Sequence, residues 1–397
     1  NTVRESDFIW FSHEHPDHFN PPNIPLFGKN KNFIFQKTKD KRVVNFLRKY
    51  SNNIFELKSG ENFQISKNFS IEACPFQDLD SYCVIKAGNK TILNLNDCQI
   101  KSEGELKEIK RKIGTIDLLM AQFSYAIGNT NRNEKALREK NAKEILENLN
   151  RIIFSLKPEF FLPFASFSFF SHKENFYLND SINKIDKSVN FLEKSNPNTK
   201  ILCFYPGDTW NFDKSWNNDI PINKYKKDYS KISESSSEIK EIKDIKIDSL
   251  IEISRKYILQ IKKNNNMFDL YNLFNKKYYS IIFKVTDLKL NLIFDYKNGI
   301  VEKNISNPLK QYCEISSDSL YQLFSSGYGF DALLIGGRYE TDKEGFKALK
   351  KIFKFQAKNY QNHFYNFAAV IPKILKKLSK KGRVNPSRWF TQLCLNE

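Results

Sequence analysis

Residues 7–19 read DFIWFSHEHPDHF, and this stretch decides the predicted fold. Its apolar, aromatic start, Phe8 to Phe11, predicts a short buried strand. Three of the five histidines of the chain follow directly behind it. Imidazole and carboxylate groups are ligands of zinc and iron, and a loop at the end of a rigid strand can direct several of them at one point. The stretch therefore predicts a metal site built from His13, His15, Asp17 and His18.

A cluster of histidines can also be a solvated loop or a tag, and an HxH pair alone is a weak indication of metal binding. The full pattern HxHxDH directly behind an apolar strand is more specific. This pattern resembles the first metal-binding motif of the metallo-β-lactamase superfamily, which lies at the end of a core strand.

The superfamily resemblance implies an α/β domain with αββα layers. It also implies two further ligands that follow predicted strands, with Asp97 in the position of the shared metal-bridging carboxylate and His172 in that of the last metal histidine. In the superfamily a hairpin or more precedes the HxHxDH loop, whereas only twelve residues precede His13 and the first residue is Asn1. We therefore expect that the domain is N-terminally truncated.

The composition is that of a globular chain, with 397 residues, 40% hydrophobic residues and a mean hydropathy of -0.54. No stretch approaches the roughly 20 apolar residues of a membrane span, and the polar start NTVRESDF has no signal-peptide pattern. The six cysteines are scattered without CxxC pairs, which argues against a disulfide framework and makes a cytoplasmic location the default. Their spacing also excludes a Rieske cluster within the sequence, because that cluster needs closely spaced Cys and His ligands.

The formal net charge of +18 favours anionic partners, such as a phosphorylated metabolite, nucleic acid or an acidic membrane. Abundant Lys, Asn, Ile and Phe also fit the coding bias of an AT-rich genome, so charge alone does not identify the partner. No basic-aromatic stripe or known binding motif is present, which argues against nucleic acid. We expect a small anionic substrate.

Strand and helix patterns divide the chain into three parts. Alternating strands and helices predict the metal-binding α/β domain over residues 1–223. Residues 224–248 are charged and rich in serine, and they predict a linker or a solvated helix start. Residues 249–397 predict a C-terminal α+β domain.

Two local patterns bear on the site. Residues 82–85 and 90–94 predict a hairpin with its turn at residues 86–89, which leads to Asp97. Further along, residues 332–335 predict a buried strand in front of a Gly-Gly-Arg sequence that ends at Arg338. This arginine is a candidate contact for an anionic substrate, although a structural turn explains the pattern as well.

A closer resemblance covers most of the chain, because weaker similarity near SGYGFDALLIGG and YQNHF continues that of four more specific segments. Four segments in combination resemble the CMP-N-acetylneuraminate hydroxylase (CMP-sialic acid monooxygenase) family: SDFIWFSHEHPDHFNPPNI, YCVIKAGNKTILNLNDC, LLMAQFSYAIG and LKPEFFLPFASFSFFSH. The resemblance implies non-haem iron and hydroxylation of the N-acetyl group of a CMP-linked sialic acid. It also implies electrons from a Rieske [2Fe-2S] module and cytochrome b5, the Rieske module being on a missing segment or a partner protein.

One position departs from the family pattern. The family and superfamily place another histidine ahead of Asp97, and by its spacing from Cys83 that position falls on Gln77. A Gln carbonyl is a weak, neutral ligand for zinc or iron. The resemblance therefore implies one metal position, with His13 and His15, that lacks its third imidazole. The other is complete and implies a single firmly held metal, with these ligands: Asp17, His18, Asp97 and His172.

The sequence thus predicts the metal-binding part of a non-haem iron oxygenase, with Asp17 and His18 as its catalytic residues and Arg338 as a substrate contact. The alternative is a zinc-dependent hydrolase, a lactonase or phosphodiesterase, that uses hydroxide formed from metal-bound water. Ligand identity does not separate iron from zinc in such a site.

Overall fold

A computed structural model describes residues 2–371, except 16, 40, 78–79, 126–127, 129, 165, 168, 235–240, 276–278, 303–310, 361–362 and 368–369. The chain forms two compact units. The first contains the residues up to 126, together with 136–169 and 181–236. The second contains residues 127–135 and 170–180 and the chain from 237 onward. Two short segments of the second unit thus interrupt the sequence of the first.

The secondary structure of the first unit alternates as the sequence predicts. Its described strands are β1 (Phe8–Phe11), β2 (Asn32–Gln36), β3 (Ile54–Leu57), β4 (Asn62–Ser66), β5 (Phe69–Phe76), β6 (Asp80–Ala87), β7 (Lys90–Asn96), β8 (Leu118–Gln122), β9 (Phe160–Phe164) and β10 (Lys200–Ile201). Its helices are α1 (Thr2–Glu5), α2 (Arg42–Leu47), α3 (Glu103–Ile113), α4 (Lys135–Leu156), α5 (Ile185–Ser195) and α6 (Asp219–Glu234), with a 3-10 helix at Pro21–Phe27.

These strands form two sheets. The first is parallel and has the order β1-β2-β3. The second has the order β10-β9-β8-β7-β6-β5-β4, in which β7 to β10 are parallel and β4 to β7 antiparallel. Side chains alternate between the two faces of a strand, so each sheet can bury both faces.

The buried side chains arrange these elements in four layers. On β2, Phe33 and Phe35 pack toward α2, whereas Ile34 packs with Ile71 and Ala73 of β5 in the core between the two sheets. The other face of the second sheet buries Leu119 and other apolar residues against α3, α4 and α5. The order helix, sheet, sheet, helix confirms the layered αββα fold class.

The predicted hairpin is present, but its turn is shorter than predicted. Ala87 pairs with Lys90, so only Gly88 and Asn89 connect β6 to β7. Gly88 has a φ of 61°, a value that two-residue hairpin turns commonly require. The last pair joins Cys83 to Asn94. Asp80 lies three residues from Cys83 at the start of β6, and Asp97 lies three residues from Asn94, directly after β7.

The second unit has the predicted α+β composition. Its described helices are α7 (Ile247–Asn264), α8 (Phe268–Asn275), α9 (Ser317–Ser325), α10 (Gly329–Gly336), α11 (Lys343–Ile352) and α12 (Lys354–Tyr360), with a 3-10 helix at Phe176–Ser181. Its strands are β11 (Ser280–Val285), β12 (Leu290–Asp295), β13 (Gly299–Glu302), β14 (Tyr312–Ile315) and β15 (Tyr339–Thr341), in the order β13-β12-β11-β14-β15. Aromatic residues such as Phe294 and Phe353 fill the core between this sheet and the helices.

Three predictions concern this part of the chain, and the first of them is wrong. Residues 332–335 belong to helix α10 and not to a strand, because a short apolar run fits either element and Gly337, in the left-handed conformation, caps a helix here. The predicted charged linker, residues 224–248, begins inside α6 and ends inside α7. Residues 372–397 of the predicted C-terminal domain lie outside the described residues.

The two short segments of the second unit are held by residues near its C-terminal strand. Asn131 Nδ2 donates to the carbonyl of Thr341 at 2.8 Å, and Asn175 Nδ2 donates to that of Gly336 at 2.7 Å. Gly128 lies so close to Gly337 that an added Cβ would be 2.3 Å from the Gly337 Cα. Glycine is therefore required at this backbone contact.

Within the described residues, no helix has both the length and the hydropathy of a membrane span.

Candidate metal centre

The loop behind β1 places its first histidine in the interior of the first unit. His13 is fully buried, and its Nε2 atom lies 3.8 Å from Asp80 Oδ1 and 3.8 Å from Asp97 Oδ2. His18 Nε2 lies 3.4 Å from Asp97 Oδ2 and 3.4 Å from Asp17 Oδ2. The rings of His13 and His18 are 4.1 Å apart, and those of His13 and His15 are 4.6 Å apart. Three imidazoles and three carboxylates thus meet in one place.

Two groups of side chains have the spacing of metal ligands. His13, His18 and Asp97 form one group, in which the ligand atoms lie within 4.8 Å of one another. His13, His15 and Asp80 form the other group by the same criterion. Each group offers two imidazoles and one carboxylate, and His13 belongs to both. The site therefore has the donors for one ion, with further donors beside it.

Two buried atoms support the presence of a cation. His13 Nε2 and Asp97 Oδ1 are shielded from solvent, and neither has a hydrogen-bond partner in the described part of the chain. Leaving a buried polar atom unpaired costs about 1–3 kcal/mol, and more for a charged group. A metal ion between these groups would satisfy both atoms, because imidazole nitrogen and carboxylate oxygen are its usual ligands. The residues present fit a metal ion.

The two buried histidines have opposite pKa shifts. Burial lowers the pKa of His13 to about 4, and positive charge on His18 acts in the same direction. Burial would also lower the pKa of His18, but hydrogen bonds to the carboxylates of Asp17 and Asp97 outweigh it and raise the pKa to about 9. Without metal, His18 is therefore a cation that offsets part of the negative charge of the site.

These shifts predict how the stability of metal-free protein depends on pH. His18 has a pKa of about 9 in the folded chain, whereas its ordinary pKa is 6.5. Protonated His18 therefore stabilises the folded state fully below pH 6.5, and this contribution to the free energy of unfolding is lost as the pH rises through 9. His13 acts in the opposite sense, because its pKa of about 4 makes folding less favourable as the pH falls below 6.5. We expect greatest stability near pH 6.5 and a loss of about 2–3 kcal/mol by pH 9 and above.

Thermal unfolding in chelator, from pH 4 to pH 10, measures this profile. The variant His18→Gln should flatten the alkaline side and weaken the acid side only in part, because burial remains the largest cause of the lowered pKa of His13. An unchanged alkaline side in that variant would contradict the assignment to His18.

Two of the predicted ligands lie outside both groups. Asp17 contacts His18, but its side chain is 60% exposed, and the His18 cation lowers its pKa although burial opposes this shift. His172 belongs to the second unit, where its backbone N–H donates to Asn175 Oδ1 at 3.0 Å. A role for His172 as a metal ligand stays a prediction.

The position that the family resemblance assigns to a ligand has a different environment. Gln77 is exposed and has a φ of 52°, at the end of β5. Asp80, three residues later, contributes the carboxylate beside His13 instead. Sequence reasoning did not single out Asp80. A two-residue turn at Gly88–Asn89 would have indicated Asp80, because it pairs Cys83 with Asn94 and so brings Asp80 and Asp97, each three residues further on, to the same end of the hairpin.

Arg338 has two carboxylate partners within the second unit. Its Nε donates to Glu174 Oε1 at 2.7 Å and its Nη2 donates to Asp318 Oδ2 at 2.8 Å, and the residue is only 8% exposed. A buried guanidinium between two carboxylates is a structural ion pair whose charges compensate one another. These two ion pairs explain why Arg338 is buried without any bound substrate. The contact between Arg338 and a substrate stays a prediction.

The chain is similar to solved structures of known proteins, but its sequence matches no known family. No protein-family model matches the chain, and no curated protein matches it in sequence. Among solved structures, the chain is similar to the diiron β-hydroxylase CmlA from Streptomyces venezuelae (13% identity, TM-score 0.35, 49% of this chain and 43% of CmlA). It is also similar to the metallo-β-lactamase fold protein YhfI from Bacillus subtilis (12% identity, TM-score 0.37, 52% of this chain and 78% of YhfI).

A third similar structure is a possible metal-dependent hydrolase from Veillonella parvula (9% identity, TM-score 0.37, 52% of this chain and 76% of that protein). The chain thus spans less than half the length of CmlA. Similarity at this level assigns neither an activity nor a substrate to this chain.

Proposed function

We propose that this chain is the metal-binding part of a non-haem iron oxygenase that acts on an anionic, nucleotide-linked substrate. The donor set of His13, His18 and Asp97 carries the proposal. Two imidazoles and one carboxylate, with other positions open, are the ligands of non-haem iron oxygenases. The four segments that resemble the CMP-sialic acid hydroxylase family favour the same chemistry.

Four residues of the site have a defined task under this proposal. His13, His18 and Asp97 hold the metal, and the buried position of His13 keeps water away from one side of it. Iron bound here would supply the redox chemistry of oxygen. Asp17 lies on the accessible side, and a carboxylate is ordinarily ionised at neutral pH, so that it can accept a proton from a group bound beside His18.

An oxygenase needs two electrons from elsewhere for each turnover. A sequence without paired Cys and His ligands cannot hold a Rieske cluster, so we propose that a Rieske [2Fe-2S] module on another segment or protein supplies them, with a cytochrome b5-like donor behind it. The net charge of +18 suits a substrate that carries phosphate and carboxylate groups.

A zinc-dependent hydrolase is the second candidate. Two histidines and one carboxylate also hold catalytic zinc, which lowers the pKa of bound water to about 7. The specific observation in its favour is Asp17, an exposed and ionised carboxylate 3.4 Å from a ligand histidine, where it can act as a general base toward water. This candidate requires no electron donor.

Metal content and oxygen uptake distinguish the two candidates. We expect that protein purified without added metal contains iron, and that iron-loaded protein consumes oxygen when CMP-N-acetylneuraminate and a chemical reductant are both present. The variant Asp97→Asn should lower uptake by about 100-fold or more, because it removes the charged ligand.

Three controls complete the measurement: omission of the nucleotide sugar, omission of the reductant, and zinc-loaded protein. Hydrolysis of bis(p-nitrophenyl) phosphate by zinc-loaded protein, without any reductant and with no oxygen uptake by the iron form, would reject the oxygenase in favour of the hydrolase.

A further inference from the structure

We propose that the hydroxyl group of Ser12 is the positioning group of the metal centre, which orients two of the ligand histidines at once. This inference rests on the proposed metal-dependent function. It concerns a residue that lies between the strand and the HxHxDH motif and that is not itself a metal ligand.

The contacts of Ser12 Oγ carry the inference. The atom lies 3.0 Å from His13 Nδ1 and 3.3 Å from His18 Nδ1. It also accepts a hydrogen bond of 2.7 Å from Asn96 Nδ2. One buried hydroxyl therefore contacts the rear nitrogen of both imidazoles, and the third contact ties it to the residue next to Asp97.

The effect of this arrangement is to aim the two Nε2 atoms. With each Nδ1 held by Ser12, His13 Nε2 and His18 Nε2 both face Asp97 Oδ2, at 3.8 Å and 3.4 Å. A hydrogen bond to the non-ligating nitrogen of a metal histidine fixes the ring orientation, and its loss typically costs 10–100-fold in metal affinity. Here a single hydroxyl oxygen lies within hydrogen-bond distance of both rings, and its two acceptor sites are shared by the two Nδ1–H groups and Asn96 Nδ2.

Ser12 itself has little freedom to move. It is 5% exposed, and its carbonyl oxygen accepts hydrogen bonds from Ser81 Oγ at 2.5 Å and from Gln36 Nε2 at 3.4 Å. Ser81 belongs to β6 and Gln36 to β2, so residues from both sheets fix the backbone from which the hydroxyl projects. The group that orients the histidines is thus anchored to the core of the first unit.

Cobalt(II) binding to Ser12→Ala tests the proposal, with Ser188→Ala as the matched control. Both variants delete one buried hydroxyl from the first unit, but Ser188 Oγ donates to the carbonyl of Lys184, whereas Ser12 Oγ contacts the histidines. We expect that Ser12→Ala weakens Co(II) binding about 10–100-fold and alters its visible absorption spectrum. Ser188→Ala should leave both unchanged, although it too lowers the melting temperature.

An isosteric pair removes any effect of volume or folding. Ser12→Thr keeps the hydroxyl and should bind Co(II) nearly as the parent does, whereas Ser12→Val has the same shape without it and should bind as poorly as Ser12→Ala. Equal binding by the Thr and Val variants would overturn the proposal, as would a loss in Ser188→Ala as large as that in Ser12→Ala.

The proposed oxygenase activity can fail independently of this result. Parent protein that binds Co(II), with a deficit confined to Ser12→Ala and Ser12→Val, supports the positioning role even if the iron form consumes no oxygen. Parent protein that binds no Co(II) would overturn the positioning role and the metal centre together.

Discussion

Replacement of His13 by alanine is expected to abolish metal binding under conditions in which the parent protein is saturated. His13 is the only residue shared by the two ligand groups within the described residues, and it is the most deeply buried ligand. Four-ligand zinc sites bind with about 10–16 kcal/mol, so one ligand accounts for about 3 kcal/mol or more, which is roughly a 100- to 1,000-fold change in dissociation constant. Competition with a chromophoric chelator measures that change.

The other four histidines provide the comparison. His15→Ala and His18→Ala should each weaken binding less than His13→Ala, because each belongs to one group only. His363 is exposed in the second unit, so His363→Ala is the control that should bind as the parent does. His172→Ala tests the remaining predicted ligand. An affinity loss in His363→Ala as large as that in His13→Ala would contradict this account of the site.

The second large effect is expected at Asp80, where metal binding and the stability of metal-free protein should change in opposite directions. Burial raises the pKa of Asp80, and the negative charge of Asp97 raises it further, so the ionised carboxylate is unfavourable in the empty site. Asp80→Asn should therefore raise the melting temperature of metal-free protein at pH 7. It should also weaken metal binding about tenfold or more, because it removes the carboxylate of the group with His13 and His15.

Gln77 provides the matched control for Asp80. The family resemblance places a ligand at Gln77, whereas the structure places the Asp80 carboxylate beside His13. Gln77→Gly suits the positive φ at that position and deletes the side chain. Titrations with Fe(II), under anaerobic conditions, should show a loss only in Asp80→Asn. A loss in Gln77→Gly alone would restore the ligand that the resemblance implies.

The layered fold could be predicted from the sequence because its strands carry strong local patterns. The run Phe8–Phe11 is apolar throughout and becomes β1, and residues 135–156 repeat apolar side chains at helical spacing and become α4. The strand predicted at residues 332–335 was wrong because four apolar residues fit a strand and a helix equally well. Only the left-handed glycine behind it distinguishes the two, and a glycine pair also suits a turn.

The candidate site was predictable where ligands follow one another in sequence and not where a fold brings them together. His13, His15 and His18 lie in one motif, and Asp97 lies at a strand end, so pattern and resemblance both indicate them. Asp80 lies at the start of a strand, and its proximity to His13 depends on the pairing of a hairpin whose turn is two residues shorter than the predicted turn. The contacts of Ser12 likewise depend on how the two sheets pack.

The interleaved order of the two units also bears on synthesis of the chain. The first 236 residues contain every segment of the first unit, but they also carry residues 127–135 and 170–180, whose hydrogen-bond partners Gly336 and Thr341 emerge from the ribosome about a hundred residues later. Until then, the polar groups of both segments must remain hydrated or bound by a chaperone. All the ligand candidates of the two groups precede residue 236, whereas a stop codon near that residue leaves Asn131 and Asn175 without their carbonyl partners at Thr341 and Gly336.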